Sequence, residues 1–114
     1  MADGGVDPKY TPWFKHYGDV PKHIDVPEES LYGMVKATSE KYPEKIAYMF
    51  MGDKTRYKTF IAQIDDFALR LVKLGVTSED KLLICMPNCP QAVVALYAAN
   101  KIGAVATMIH PLSA

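Results

Sequence analysis

The chain has 114 residues, which is about one small domain and too few for two independent cores. Thirteen basic residues balance 13 acidic ones, so the formal net charge is zero. That balance argues against a nucleic-acid partner and gives no support for docking on an anionic membrane. With 49% hydrophobic and 23% charged residues, the composition is that of a folded globular protein.

The first 29 residues predict an extended arm. Half of the eight prolines fall in this segment: Pro8, Pro12, Pro21 and Pro27. It also carries four aromatic residues: Tyr10, Trp13, Phe14 and Tyr17. Proline at this density favours an irregular path, and four rings left in water are costly. We therefore predict an arm, residues 1–29, that docks on the body or on a second chain; the alternative is a frayed tail with incidental aromatics.

Residues 30–74 predict a helix, a hairpin and a second helix. Ser30 is a suitable cap for a helix that ends at Lys41, before Pro43. Residues 46–50 and 55–57 are strand-like and flank a Gly52-Asp53 turn. The next helix has an apolar stripe: Phe60, Ile64, Phe67, Leu71 and Leu74. Gly75 follows it, where a left-handed cap would end the helix.

The last third predicts a strand, a helix and a strand. Two apolar runs, residues 82–86 and 105–109, flank a helix that opens at Pro90 and ends near Lys101, with Gly103 as its cap. Neither run alternates with polar residues, so we expect parallel strands buried on both faces. The predicted fold class is α/β: residues 30–114 form a partial subdomain whose incomplete parallel or mixed sheet has flanking helices and an open edge.

Residue types that could carry chemistry are scattered. Cys85 and Cys89 lack the spacing of a redox pair or a zinc site, and the adjacent Asp65 and Asp66 point about 100° apart on a helix. The three histidines have no second ligand at metal-binding spacing: His16, His23 and His110. A phosphate site needs glycines at a helix start, whereas the turn at 86–90 has two prolines. We predict no catalytic, cofactor-binding or metal residue in this chain.

The sequence predicts no targeting signal. The opening residues 1–7 carry acids and glycines where a signal peptide needs a basic and then an apolar run. Residues 82–100 are uncharged, but two prolines and three amide side chains interrupt them, so we expect no transmembrane segment. A cytoplasmic protein with reduced thiols is the expected outcome.

Several short segments, taken together and in order, carry a family resemblance. They are SLY at 30–32, KYPEKIA at 41–47, LGV at 74–76 with Asp80, MPNCPQ at 86–91, IGA at 102–104 and PL at 111–112. This order resembles the N-terminal part of an AMP-forming acyl-CoA synthetase. WFKHY at 13–17 and VP at 20–21 are similar to the fatty-acid–CoA ligase branch. The family's capping box for the long helix is replaced by Arg56 and Thr59, so we expect that helix to begin at Thr59.

The resemblance implies a ligase that uses ATP with magnesium to form an acyl-adenylate and then transfers the acyl group to coenzyme A. The family's phosphate loop, ribose-binding aspartate and catalytic lysine all follow the matched region. The chain is therefore expected to be an inactive scaffold segment that binds none of these cofactors by itself. Its expected partners are the remainder of the ligase chain or a second copy, with a fatty acid as substrate only in the full-length enzyme. The alternative is a free-standing α/β interaction module that pairs through its sheet edge and aromatic arm.

Overall fold

A computed structural model describes residues 8–113 and has an α/β architecture. The arm holds two short 3-10 turns, Pro8–Tyr10 and Pro12–His16. The body follows as α1 (Leu31–Lys41), β1 (Ile46–Phe50), β2 (Asp53–Arg56), α2 (Tyr57–Lys73), β3 (Lys81–Cys85), α3 (Pro90–Ile102) and β4 (Val105–Ile109). β1 and β2 pair antiparallel, and β3 and β4 pair parallel.

Helix α1 is capped from two sides. The Ser30 hydroxyl accepts the Gly33 amide at 2.9 Å, which confirms the predicted cap. The side-chain oxygen of Asn100, from α3, accepts the Tyr32 amide at 2.9 Å. A residue 68 positions away therefore satisfies one of the amides that a helix start leaves unpaired.

The hairpin and the start of α2 differ from the sequence prediction. Met51 and Gly52 form the turn with φ of 49° and 93°, so β2 begins at Asp53 rather than Thr55. Helix α2 begins at Tyr57, two residues before the expected Thr59. The amides of Tyr57 and Lys58 donate to the carbonyls of Lys45 and Pro43, at 3.0 and 3.1 Å. Backbone before β1 thus replaces the missing capping box.

Helices α2 and α3 form the centre of the core. Phe60, Ile64 and Leu71 are buried as predicted, against an alanine-rich α3 that contacts α1, α2 and both strands of the parallel pair. Leu74, however, is 81% exposed, because α2 ends at Lys73 and Gly75 turns the chain with φ of +91°. Val76 packs on the core in its place. Among residues 8–113, no helix is long and apolar enough to cross a bilayer.

The parallel pair is covered on one face. Leu82 and Ile84 face α2 and α3, and Ile84 is only 3% exposed. The opposite side, here termed the open sheet face, consists of Lys81, Leu83, Cys85, Val105, Thr107 and Ile109. Leu83 is 59% and Val105 is 54% exposed. The predicted burial of both strand faces is therefore wrong for residues 8–113, because α2 and α3 pack on the same side of the strands.

The arm has its own aromatic cluster. The Phe14 ring lies edge-on to those of Trp13, Tyr17 and His23, with centroids 6.1, 5.2 and 5.6 Å apart. Tyr10 and Trp13 nevertheless stay 65% and 50% exposed. The radius of gyration is 18.3 Å, against about 13 Å for a compact domain of this length. A value this large is typical of a chain with an extended part, and docking of the arm on the body or on a second chain stays a prediction.

Candidate functional site

The carboxyl ends of parallel strands are where α/β proteins usually bind ligands. Two segments lie there: residues 86–90 follow β3, and residues 110–113 follow β4. The first leads directly into α3, and phosphate groups commonly bind at the N-terminus of a helix, where backbone amides are free.

The start of α3 offers little to an anion. Pro90 has no amide hydrogen, and the amides of Ala92 and Val93 already donate to the Cys89 carbonyl at 3.1 and 3.4 Å. Residues 86–91 include neither a glycine nor a basic side chain. The phosphates of a nucleoside triphosphate therefore do not fit this turn.

His110 stabilises the turn that follows β4. Its Nδ1 accepts the Leu112 amide at 3.1 Å, and its carbonyl accepts the Ser113 amide at 2.9 Å. His16 and His23 lie in the arm, so the structure does not gather the three histidines. Across residues 8–113, no three His, Cys, Asp or Glu side chains are placed to hold a metal ion.

The two cysteines are free thiols in different surroundings. Cys85 is exposed at the end of β3, on the open sheet face, whereas Cys89 is half-buried at the start of α3. They do not form a disulfide, and neither side chain caps α3.

An apolar groove of about 450 Å³ separates the hairpin from α3. Three rings in edge-to-face contact line its floor. The centroid of the Phe60 ring lies 5.3 Å from that of Tyr48 and 5.7 Å from that of Tyr97. Cys89 and Met108 lie along its rim, so the groove reaches the carboxyl end of the parallel pair. A second hollow of about 400 Å³ lies beyond Tyr48 and Pro90, beside Phe67 and Gln91. Among residues 8–113, no set of buried charged groups that would polarise a substrate lines either hollow.

The best-defined polar cluster joins the three helices. Asp65 Oδ1 accepts hydrogen bonds from the Tyr32 hydroxyl at 2.7 Å and from Lys101 Nζ at 2.6 Å. Lys101 Nζ also lies 4.8 Å from the centre of the Tyr32 ring. Asp66 instead pairs with Arg70 one turn along α2, so the two neighbouring carboxylates do not converge, as predicted. The cluster itself was missed, because its members come from three separate segments.

The electrostatics of this cluster favour a structural role over acid–base catalysis. We term Asp65, Tyr32 and Lys101 the clamp, because their hydrogen bonds join the three helices. Partial burial raises the pKa of Asp65, but the hydrogen bonds from Lys101 and Tyr32 outweigh it and bring the pKa below its usual value. The bond to Asp65 raises the pKa of Lys101, and burial followed by the same carboxylate raises the pKa of Tyr32. All three groups therefore keep their ordinary charge states near neutral pH.

Comparison with known proteins identifies the family. The model of the AMP-binding enzyme family matches residues 35–114, from α1 to the end of the chain. The chain belongs to the AMP-binding enzyme family. It corresponds to the N-terminal part of these adenylate-forming enzymes, which confirms the resemblance and the fold class.

Individual relatives agree with this assignment. A long-chain-fatty-acid–CoA ligase of Bacillus subtilis is 26% identical over 102 residues, covering 89% of this chain and 18% of the ligase. Acetyl-coenzyme A synthetase 1 of Candida albicans is 32% identical over 116 residues, covering 96% of this chain and 17% of that enzyme. The N-terminal domain of FACL13 from Mycobacterium tuberculosis, solved with an inhibitor bound, aligns with a TM-score of 0.69 and 26% identity, covering 73% of this chain and 21% of that one. The chain thus spans less than a fifth of the length of these two curated relatives.

Proposed function

We propose that this chain is the N-terminal scaffold segment of a fatty-acid–CoA ligase. Such an enzyme activates a carboxylate with ATP to an acyl-adenylate and passes the acyl group to coenzyme A. The observation that carries the proposal is the family match over residues 35–114, combined with similarity to a long-chain-fatty-acid ligase over 89% of the chain. The free thiols Cys85 and Cys89 agree with a reducing, cytoplasmic location.

The chain by itself is proposed to be inactive. The α3 start does not fit a nucleotide phosphate, and the groove beside it lacks buried charged groups. The segment would contribute α2, α3 and the parallel pair as a rigid support, while catalytic groups come from other parts of a ligase chain.

Fatty-acid-dependent exchange between ATP and pyrophosphate tests both parts of the proposal. The purified 114-residue chain should give no exchange above the blank with palmitate or acetate, and any exchange would show catalytic groups in this chain. A chimera of the B. subtilis ligase, with its aligned segment replaced by this chain, should retain exchange with palmitate. The matched chimera of the C. albicans acetyl-coenzyme A synthetase should lose exchange with acetate. The reverse pattern would contradict the fatty-acid assignment.

A free-standing interaction module is the second candidate function. The exposed rings of Tyr10 and Trp13 and the exposed Leu83 and Val105 favour it. A module of this kind should elute as a stable monomer or a closed dimer, whereas a scaffold segment should associate without a fixed size. Size-exclusion chromatography with light scattering separates the two.

A further inference from the structure

The open sheet face has the composition of a buried surface. In the parallel register, Leu83 lies opposite Thr107 and Cys85 lies opposite Ile109, while Val105 lies opposite Lys81. Leu83, Val105 and Ile109 expose 59%, 54% and 43% of their surface, and Lys81, at the start of β3, is the one charged residue among the six of this face. Parallel strands occur almost only in sheets that are covered on both faces. We expect an occupant on this face.

The occupant must also supply strands. The parallel sheet has two strands, so β3 and β4 each keep one unpaired edge within residues 8–113. A second copy laid face to face would cover Leu83 and Val105 but leave all of those edges unpaired. A segment that contains both strands and helices would pair with these edges and also bury the open sheet face.

Chain length indicates where that segment comes from. The part of the FACL13 N-terminal domain that aligns with this chain is 21% of that chain, so about four-fifths of the domain lies elsewhere. That portion is large enough to extend a two-stranded sheet and to cover one of its faces.

We propose that the open sheet face is the surface on which the remaining part of an adenylating enzyme's N-terminal domain packs, and that it takes up this part even as a separate polypeptide. The proposal rests on the proposed function, because it names the partner of the same scaffold. Beyond the proposed function, it assigns the contact to Leu83, Val105 and Ile109. It also requires no covalent link between this chain and the remaining part of the domain.

Co-expression with a truncated ligase tests the proposal. The probe is the B. subtilis ligase without its aligned 102-residue segment, and the tagged 114-residue chain should co-purify with it at equal stoichiometry. Leu83→Lys should abolish co-purification, because an unpaired ammonium group would be buried. Leu74→Lys is the matched control: Leu74 is 81% exposed at the end of α2, where a cation is favourable, so binding should persist. Each variant alone should melt within about 2 °C of the parent chain.

Thiol labelling gives a second readout at the face itself. In a Cys89→Ser background, Cys85 is the one thiol of this chain. Its alkylation should slow at least about tenfold in the complex, because closed surfaces react only through opening. If neither this chain nor the ligase's own segment associates in trans, the claim that no covalent link is needed is overturned, and the assignment of the face is tested separately in the covalent chimera. Cys85 alkylation as fast in the chimera as in the free chain would overturn the proposal.

The remaining outcomes are equally decisive. Co-purification that withstands Leu83→Lys, or binding by the ligase's own segment but not by this chain, would overturn the proposal. A dimer of the chain alone that Leu83→Lys dissociates would make a second copy the occupant, which also overturns it. None of these readouts requires activity. A complex that forms through Leu83 but lacks palmitate-dependent exchange would therefore contradict the proposed function and leave the surface assignment standing.

Discussion

The two faces of the parallel strand pair are built from similar residues and have opposite surroundings. Ile84 faces α2 and α3 and is 3% exposed, whereas the preceding Leu83 points the other way and is 59% exposed. Hydrophobic residues contribute to stability through the surface that folding removes from water, not through their type. The same strand therefore stabilises this chain on one side and is available for association on the other.

Truncating a side chain on each face of β3 should give the most unequal losses of stability. Ile84→Ala should lower the free energy of unfolding by about 3 kcal/mol, because it opens a cavity against α2 and α3. Leu83→Ala should change it by less than about 0.5 kcal/mol, because the side chain is mostly in water already. Urea denaturation of the 114-residue chain, followed by circular dichroism, measures both.

Equal losses for the two variants would mean that the open sheet face is covered in solution. In that case the Leu83→Ala loss should depend on protein concentration, as expected for association. A loss that is equal and independent of concentration would contradict the one-sided packing of β3.

Local signals made most of the fold predictable from the sequence. Ser30 was recognisable as a cap, Gly75 and Gly103 as left-handed stops, and residues 105–109 as a strand, because each depends on nearby residues. The start of α2 was not, because the Tyr57 amide is satisfied by a carbonyl that precedes β1. Leu74 continues the apolar period but lies beyond the last helical residue, so periodicity placed it wrongly in the core.

The candidate site was less predictable than the fold. The groove forms only when the hairpin approaches α3, and its ring stack joins Tyr48, Phe60 and Tyr97 from three elements. Asp65 bonds to partners 33 and 36 positions away, and no local spacing signals such a pairing. Pro90 removes one amide from the start of α3 wherever the turn lies, but the weak anion binding expected at residues 86–90 stays a prediction.

The two glycines that end α2 and α3 have similar backbone angles but different surroundings. Gly75 and Gly103 have φ of +91° and +81°, but a Cβ at Gly75 would meet open space, whereas one at Gly103 would lie 3.2 Å from Ser78 Cβ. Gly75→Ala should cost about 1 kcal/mol of unfolding free energy from backbone strain, and Gly103→Ala should cost more. Thermal unfolding of both variants gives the order. An equal loss would show that the loop carrying Ser78 yields freely to the added methyl group.

Removing the Asp65 charge tests how much polar bonding, as distinct from apolar packing, stabilises the helices. Asp65→Asn removes the charge that holds Tyr32 and Lys101, but the carboxylate is 44% exposed and screened, so the loss should be below about 1 kcal/mol. Because the folded-state pKa of Asp65 is lowered, its contribution is present above the ordinary value of 3.8 and fades as the pH falls through the folded pKa. The difference between parent and variant should therefore be full at pH 7 and shrink below about pH 4. Asp66→Asn, which breaks only an exposed pair with Arg70, is the matched control and should show no measurable difference. A loss for Asp65→Asn as large as that for Ile84→Ala would mean that the clamp, rather than the apolar contact with β3, holds the three helices together.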